Sequence, residues 1–324
     1  MSLPNFQPRD PILICLAEIE PKKVDWLWEP YLAKGTVALL SGDPGSGKTF
    51  VSLAIAASLS KGIIPSTGES CEPVNTVYLS HENSAEYVTR PRFDALGGDP
   101  TRLFLLPGKS VSLTDTSDLS DAIDEARAGL LIVDPIQSYL GADVDLHRSN
   151  ETRPVLDGLV FIADNFGCCI LLVRHLAKSS GGRAIHRGLG SIDLTATART
   201  ELLAGTSAHD PNNRALVQIK NNLGPYGDSL GYSIGEDGFA WTGKSNLTAN
   251  DLLSSDNGTE RQSSFDGALE FLKAQLASGE KLQAKLVETA KGIYHERTLQ
   301  RAAKELGVER RRDGEGGPWI WYLP

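Results

Sequence analysis

Cysteine is scarce in this chain: 324 residues hold four, Cys15, Cys71, Cys168 and Cys169. None forms a C-x-x-C pair, and Cys168-Cys169 lies inside an apolar run. That usage excludes a disulfide scaffold and a cysteine zinc site, and it predicts reduced, mostly buried thiols. No other dedicated protein cage for a metal is visible. Long apolar runs are missing too, since none approaches the ~20 residues that a helix needs to cross a bilayer. The first ten residues lack a basic start, and ILICLA is too short for the core of a signal peptide. These absences predict a soluble, cytoplasmic protein with no membrane partner. Positive charge is also short, with 32 Lys/Arg against 41 Asp/Glu, a net of −9. Residues 261–324 alone lean basic, with 11 Lys/Arg against 9 Asp/Glu. A global field drawing in nucleic acid is therefore excluded, and any such contact must come from local patches. Ordinary apolar (40%) and charged (23%) contents argue against gross disorder. The length allows one large α/β domain and a small one. There is no internal repeat.

What is present centres on residues 36–60, TVALLSGDPGSGKTFVSLAIAASLS. An apolar run, Thr36 to Leu40, precedes the loop Gly42-Asp43-Pro44-Gly45-Ser46-Gly47-Lys48-Thr49, and an Ala/Leu-rich helical pattern beginning about Phe50 follows. Strand, G-x-x-x-x-G-K-T and helix in this order form a phosphate-binding loop. Glycines let successive backbone N–H groups turn inward around phosphate oxygens, and the helix N-terminus adds partial positive charge. Lys48 is expected to reach the β- and γ-phosphates and Thr49 to ligate Mg²⁺. The expected ligands are therefore ATP, contacted by Gly42 to Thr49 and by Phe50, and Mg²⁺.

Further along, Thr76 to Ser80 reads as a buried strand ending in His81-Glu82-Asn83. Ligands of open parallel sheets bind at that edge, so Glu82 is the candidate that orients and deprotonates an attacking water. Residues 84–97 and 118–128 read as helices, and 102–107 as a short strand. Gly129 to Asp134 is an apolar run ending in aspartate, the Walker B pattern, which delivers a carboxylate to the Mg²⁺ environment. A polar loop over 138–153, a helix over 154–166 and a strand from Cys168 to Arg174 then bring His175 to a strand end, as a candidate γ-phosphate sensor. Residues 176–190 are rich in glycine and serine and carry Lys178, Arg183 and Arg187, so they could couple nucleotide state to a DNA strand. A short helix over 191–199 is followed by strands near 201–204, 215–220, 230–234 and 238–242. Upstream, Trp26, Trp28 and Tyr31 read as aromatics packed on the domain edge, with stacking on a nucleotide base as the alternative. The fold expected for 1–243 is α/β, a mostly parallel sheet with an antiparallel extension.

Residues 244–264 are polar without an apolar period and read as a linker. Residues 265–324 read as three helices and a hairpin, a winged helix-turn-helix arrangement. Its third helix, about 296–306, sets Leu299, Ala302, Ala303 and Leu306 on one side and Arg297, Gln300, Arg301 and Lys304 on the other. A basic third helix is what such modules lay in the DNA major groove. A solvated face of a protein-interaction domain is the alternative.

Taken together, GDPGSGKT, SHEN, LLIVDP, LLVRH and GSIDLTATARTELL resemble the RecA-like ATPases of the RepA-type hexameric helicase family, over about residues 24–242. The tail resembles the winged helix that often follows this ATPase. The resemblance implies a RecA-like P-loop core and a homo-oligomeric ring with ATP between subunits. It implies that Lys48 and Thr49 serve as Walker A, Asp134 as Walker B, Glu82 as catalytic glutamate and His175 as sensor. Arg199 matches the arginine supplied to the neighbouring subunit's site, and Lys220, in QIKNNLG, a second basic residue near it. The function implied is an ATP-driven, helicase- or translocase-like motor on single-stranded or duplex DNA, in replication or recombination of a mobile element. A nucleotide-switched regulator whose tail binds duplex DNA, and a loader or signalling ATPase whose tail binds protein, are the competing readings.

Overall fold

The structure, a computed structural model, describes residues 13–323 apart from 82, 107–110, 142–143, 145–147, 177–191, 209, 211, 236–237, 254–256, 278, 291–292, 295 and 315; side chains of 192 and 257–264 are likewise not described. The chain divides into two compact units, Met1–Gly205 with Asn213–Asn246, and Thr206–Asn212 with Leu247–Pro324.

The first unit opens with a short antiparallel pair, β1 (Trp26–Trp28) and β2 (Leu32–Ala33). Its large sheet then alternates with helices: β3 (Val37–Gly42), α1 (Lys48–Ser60), β4 (Thr76–Ser80), α2 (Arg90–Ala95), β5 (Leu103–Leu105), α3 (Ser117–Ala126), β6 (Leu130–Asp134), α4 (Ser149–Phe166), β7 (Cys169–His175) and α5 (Ile192–Thr197). Four more strands close it: β8 (Thr200–Thr206), β9 (Arg214–Asn221), β10 (Ser229–Gly235) and β11 (Gly238–Ser245). The strand order is β11-β10-β9-β8-β3-β7-β6-β4-β5. From β8 to β5 neighbours pair in parallel, while β9, β10 and β11 pair antiparallel. The sheet is thus mixed, mostly parallel, with an antiparallel extension.

Continuous apolar runs build the central strands because both faces are covered. Period-two alternation splits them between two cores. Ala38 and Leu40 face one core with Val51 and Ile55 of α1; Val37 and Leu39 face the other with Leu156 and Leu159 of α4. Each fully buried Val, Leu or Ile among them contributes roughly 1.5–3 kcal/mol. Cys168 and Cys169 are both buried, one on each side.

Three local expectations need correction. Trp28 and Tyr31 lie in the first core rather than on an edge, with ring centroids 4.4 Å apart, and Trp28 meets Trp241 of β11 at 6.0 Å. Helix α4 begins at Ser149, five residues before Pro154. Thr152 Oγ1 donates to the Arg148 carbonyl at 3.1 Å and Arg148 pairs with Glu151, so the first turn is held by side chains that carry no apolar signal. The segment 84–97 is not one α-helix: Ala85–Thr89 is π-helical and only then does α2 start, with Pro91 in its first turn.

The second unit contains α6 (Ala249–Leu253), α7 (Asn257–Leu276), β12 (Lys281–Leu282), α8 (Gln283–Ala290), α9 (Glu296–Glu305), β13 (Glu309–Arg312) and β14 (Trp319–Tyr322). Its antiparallel sheet has the order β12-β14-β13. Leu272, Leu286, Leu299 and Trp321 meet in its core. The stretch 244–264, read as linker, holds α6 and the start of α7. Thr248 and Asp251 cap α6 reciprocally: Thr248 N donates to Asp251 Oδ2 at 2.7 Å, and Asp251 N to Thr248 Oγ1 at 3.4 Å. A capping box sets a helix start without any apolar period.

Candidate functional site

Strands β3, β7 and β6 lie side by side, and their C-terminal ends carry Gly42, His175 and Asp134. Gly42 and His175 are register partners. The neighbouring β4 sets Ser80 opposite Asp134, two residues short of Glu82, which lies outside the described residues. Lys178, Arg183 and Arg187 lie outside them as well.

The loop between β3 and α1 has the backbone that its glycines predict. Gly45 and Gly47 have φ of 78° and 93°, a left-handed region that side chains avoid. A Cβ on Gly47 would stand 2.4 Å from Ile234 Cδ1, and one on Gly42 2.3 Å from the Ala204 carbonyl oxygen. Gly42 therefore demands glycine for space, because the obstacle is backbone, whereas Gly47 demands it for its left-handed φ, since the end of the Ile234 side chain can turn aside. Lys48 is buried, and its Nζ donates to the Gly42 and Asp43 carbonyls, each at 2.9 Å. Thr49 and Phe50 complete the first turn of α1, and the Arg92 guanidinium lies 4.5 Å over the Phe50 ring. Tyr232 of β10 donates its hydroxyl to the Ser46 carbonyl at 2.6 Å, and Arg214 of β9 donates to the Gly45 carbonyl at 3.1 Å. The antiparallel extension therefore holds the loop from outside.

Asp134 is buried and accepts from the Tyr78 hydroxyl at 3.0 Å. Burial first, then the Asp134 charge and that hydrogen bond, push the Tyr78 phenol well above its ordinary value. Burial, then Asp134, pushes Tyr139 up to about 12. Both phenols therefore stay protonated beside the carboxylate, and Tyr78 serves it as a donor. His175 is exposed at its strand end.

Arg199 and Lys220 sit elsewhere. Arg199 is exposed; its backbone N–H donates to the Val37 carbonyl, and its own carbonyl accepts from Asn222 N–H, both at 2.9 Å. Val37 begins β3 and Gly42 ends it, so Arg199 belongs to the opposite edge of the sheet, ~16 Å from the loop at ~3.3 Å per residue. Lys220 Nζ donates to the Thr195 and Ala196 carbonyls of α5. Burial first, partly offset by Glu201 and reinforced by Arg199, lowers its pKa.

Sequence reading missed a buried ionic cluster beneath the loop. Arg174 Nη2 meets Glu201 Oε1 at 2.6 Å, Arg174 Nε donates to Ser41 Oγ at 2.8 Å, and Ser41 Oγ donates to Glu201 Oε1 at 2.7 Å. The signal was a charge inside each of two apolar strands, LLVRH and TELLAG, which a doubly covered sheet accepts only as a pair.

The residues present fit a magnesium nucleotide. Ser46 Oγ is buried without a hydrogen-bond partner among the described residues. The left-handed glycines leave the loop amides free of Cβ atoms, and α1, thirteen residues long, has no acidic residue in its first turn to repel a phosphate. Among the described residues no group of three or more His, Cys, Asp or Glu could hold a metal on its own. Thr49 and Asp134 are the residues that would hold a Mg²⁺ arriving with the phosphates, through one hydroxyl and one nearby carboxylate. Bound there, ATP with Mg²⁺ would supply a phosphoryl group open to attack by water.

A model of the AAA domain family matches residues 7–181. The chain belongs to that family. It carries a RecA-like P-loop ATPase domain, to which nucleoside triphosphate hydrolysis belongs. Among curated proteins this AAA chain is similar to the DNA repair protein RadA of Bacillus subtilis, 32% identical over 149 residues, 45% of this chain and 29% of that protein. It is also similar to the DNA repair protein RadA of Chlamydia trachomatis, 26% identical over 217 residues, 65% of this chain and 43% of that protein. The chain spans less than half the length of these curated relatives. A crystal structure of a KaiC-like protein from Pyrococcus horikoshii matches 68% of this chain and 97% of its own, at 16% identity and a TM-score of 0.47. No helix among the described residues is long and apolar enough to cross a membrane.

Proposed function

We propose that this AAA chain is an ATP-hydrolysing, DNA-associated motor of the helicase or translocase kind, working as a homo-oligomeric ring of the RepA type in replication or recombination of a mobile element. One observation carries the reading. The phosphate loop, Asp134 and His175 share one edge of the sheet, while the exposed Arg199 belongs to the other. A chain built this way holds one half of a site and offers an arginine to a second copy. In that arrangement Lys48 and the loop amides bind the phosphates, Thr49 and Asp134 hold Mg²⁺, Glu82 activates the water and His175 reads the γ-phosphate. Arg199, with Lys220, stabilises charge across the interface, a contribution of ~10³–10⁵ in rate for such fingers. The names of the RadA relatives support a DNA-linked role.

Steady-state ATPase of the chain, alone and with single-stranded or duplex DNA, tests the motor. Stimulation by single strands is expected; absence of DNA binding at low salt rejects it. Mixing Arg199→Ala with Glu82→Gln chains tests the shared site. Each variant alone should be nearly inactive, and the mixture should regain activity through intact half-sites.

A second reading has its own observation. Arg297, Gln300, Arg301 and Lys304 are all exposed on α9, which packs its other side through Leu299, Ala302 and Ala303. If the second unit is a winged helix-turn-helix, this face reads duplex DNA and the ATPase acts as a nucleotide-controlled switch. Sequence-selective duplex binding with slow turnover, and no stimulation by single strands, would favour it.

A further inference from the structure

The buried cluster crosses the sheet from the loop edge to the Arg199 edge. Ser41 directly precedes Gly42, and Arg174 directly precedes His175. Both bond Glu201, which stands two residues after Arg199 on β8. Arg174 Nη2 also donates to Thr195 Oγ1 at 3.0 Å. Thr195 belongs to α5, and its carbonyl accepts from Lys220. Arg174, Ser41 and Glu201 are each no more than 2% exposed. Such a cluster costs desolvation that an apolar set would not, so it is weak evidence for stability and asks for another role. It is also a set of short, directional contacts, and such a buried polar network rigidly ties together the elements it joins.

We propose that Arg174 is a positioning residue: through Ser41, Glu201 and Thr195 it couples the filling of this chain's phosphate loop to the position of α5, and so to Arg199 and Lys220 on the far edge. When phosphate oxygens draw Lys48 from the Gly42 and Asp43 carbonyls, the end of β3 shifts. Ser41 passes the shift to Arg174 and Glu201, and Thr195 passes it to α5. A chain that has bound nucleotide then presents its arginine differently to the next copy. The proposal rests on the reading of Arg199 as a group offered to a neighbour; the measurement below follows α5 within one chain and stands apart from that reading.

Hydrogen exchange of the full chain is measured with no nucleotide, with Mg²⁺–ADP and with Mg²⁺–ATPγS, in the wild type, in Thr195→Val and in Arg174→Lys. In the wild type, nucleotide should slow exchange over residues 42–60 and also change it over 192–200. Thr195→Val removes one hydroxyl at a half-buried position and leaves the ion pair intact. It should keep the protection over 42–60 and nucleotide affinity within about fivefold, the most that the loss of one outer hydrogen bond would cost, while the response over 192–200 falls by at least half. Arg174→Lys keeps the charge but loses the forked geometry, and it should lose the same response. A 192–200 response that survives in both variants, or is missing from the wild type while 42–60 is protected, overturns the coupling but not the nucleotide site. No protection over 42–60 overturns both. With 192–200 responding as expected, an Arg199→Ala and Glu82→Gln mixture that stays inactive removes the shared site alone.

Discussion

The Tyr232 hydroxyl donates to the Ser46 carbonyl at 2.6 Å, joining two residues 186 positions apart. The phosphate loop is thus shaped by its own glycines and by a strand of the antiparallel extension. Tyr232 itself is 1% exposed, its ring 5.4 Å from Phe239. Tyr232→Phe keeps that packing and removes one donor, a change of about 1 kcal/mol. The expected outcome is an unchanged fold and a nucleotide affinity lowered about fivefold by titration calorimetry. Undiminished affinity would show that the loop holds its shape unaided.

Glu201→Gln leaves the Arg174 guanidinium buried without its counter-charge. Breaking a buried pair on one side costs ~3–5 kcal/mol, whereas replacing both members with apolar groups is often neutral. Denaturant unfolding should therefore place Glu201→Gln well below the Arg174→Met/Glu201→Leu double variant. The reverse ranking would mean that the pair, closed at 2.6 Å, adds net stability that apolar side chains do not replace.

Tyr78 keeps its proton because burial and Asp134 both oppose ionisation. Its hydroxyl is therefore a fixed donor that orients the carboxylate. Tyr78→Phe should leave nucleotide affinity without metal unchanged, and raise the Mg²⁺ concentration needed for half-maximal ATPase about ten- to a hundredfold, on the scale of a lost hydrogen bond to a charged group. An unaltered Mg²⁺ dependence would remove Asp134 from the metal's surroundings.

Much of the first unit was legible because its signals are local and repeated. Val37 to Gly42, Leu130 to Asp134 and Cys169 to His175 are apolar runs ending at a polar residue, and the G-x-x-x-x-G-K-T spacing marks the loop between strand and helix. What was illegible depends on contacts distant in sequence. Tyr31 reads as an edge aromatic until β10 brings up the Asp228 carbonyl, which accepts from its hydroxyl at 2.8 Å. Arg174 reads as the residue before a sensor until Glu201 meets it across β3. The helix at Ala249–Leu253 was hidden for a different reason: its start is written in Thr248 and Asp251, side chains that a search for apolar period passes over.

The four thiols should separate by burial. Cys15 is exposed, Cys71 half-buried, and Cys168 and Cys169 buried. Burial pushes the Cys168 thiol up to about 12 and the Cys169 thiol higher still, from an ordinary value of 9.0. In the unfolded chain these thiols lose their protons near pH 9, while in the folded chain they keep them, so stability is intact below about pH 9 and declines as pH rises toward 12. A thiol reagent at pH 8 should label Cys15 first, Cys71 more slowly, and the adjacent pair only on unfolding. Fast labelling of Cys168 in the native protein would contradict the close packing of β7.

The basic face of α9 allows a sharper test than a simple binding assay. Arg297 and Lys304 are exposed, whereas Arg301 lies 5.1 Å over the Phe265 ring and so also serves packing. Arg311 is engaged by Glu280, and Arg310 and Arg312 stack on Trp321 and Trp319. If α9 meets duplex phosphates, Arg297→Ala with Lys304→Ala should lower the slope of log affinity against log salt by about 2, because each neutralised phosphate releases ~0.9 counterion. Arg301→Ala should lower stability by ~0.5–1 kcal/mol in addition, from the lost ring contact. A slope unchanged in the Arg297→Ala/Lys304→Ala variant would move DNA binding off this helix. The basic side of α9 would then be an ordinary solvated surface or a contact for a protein, and the motor would have to hold its strand through the first unit.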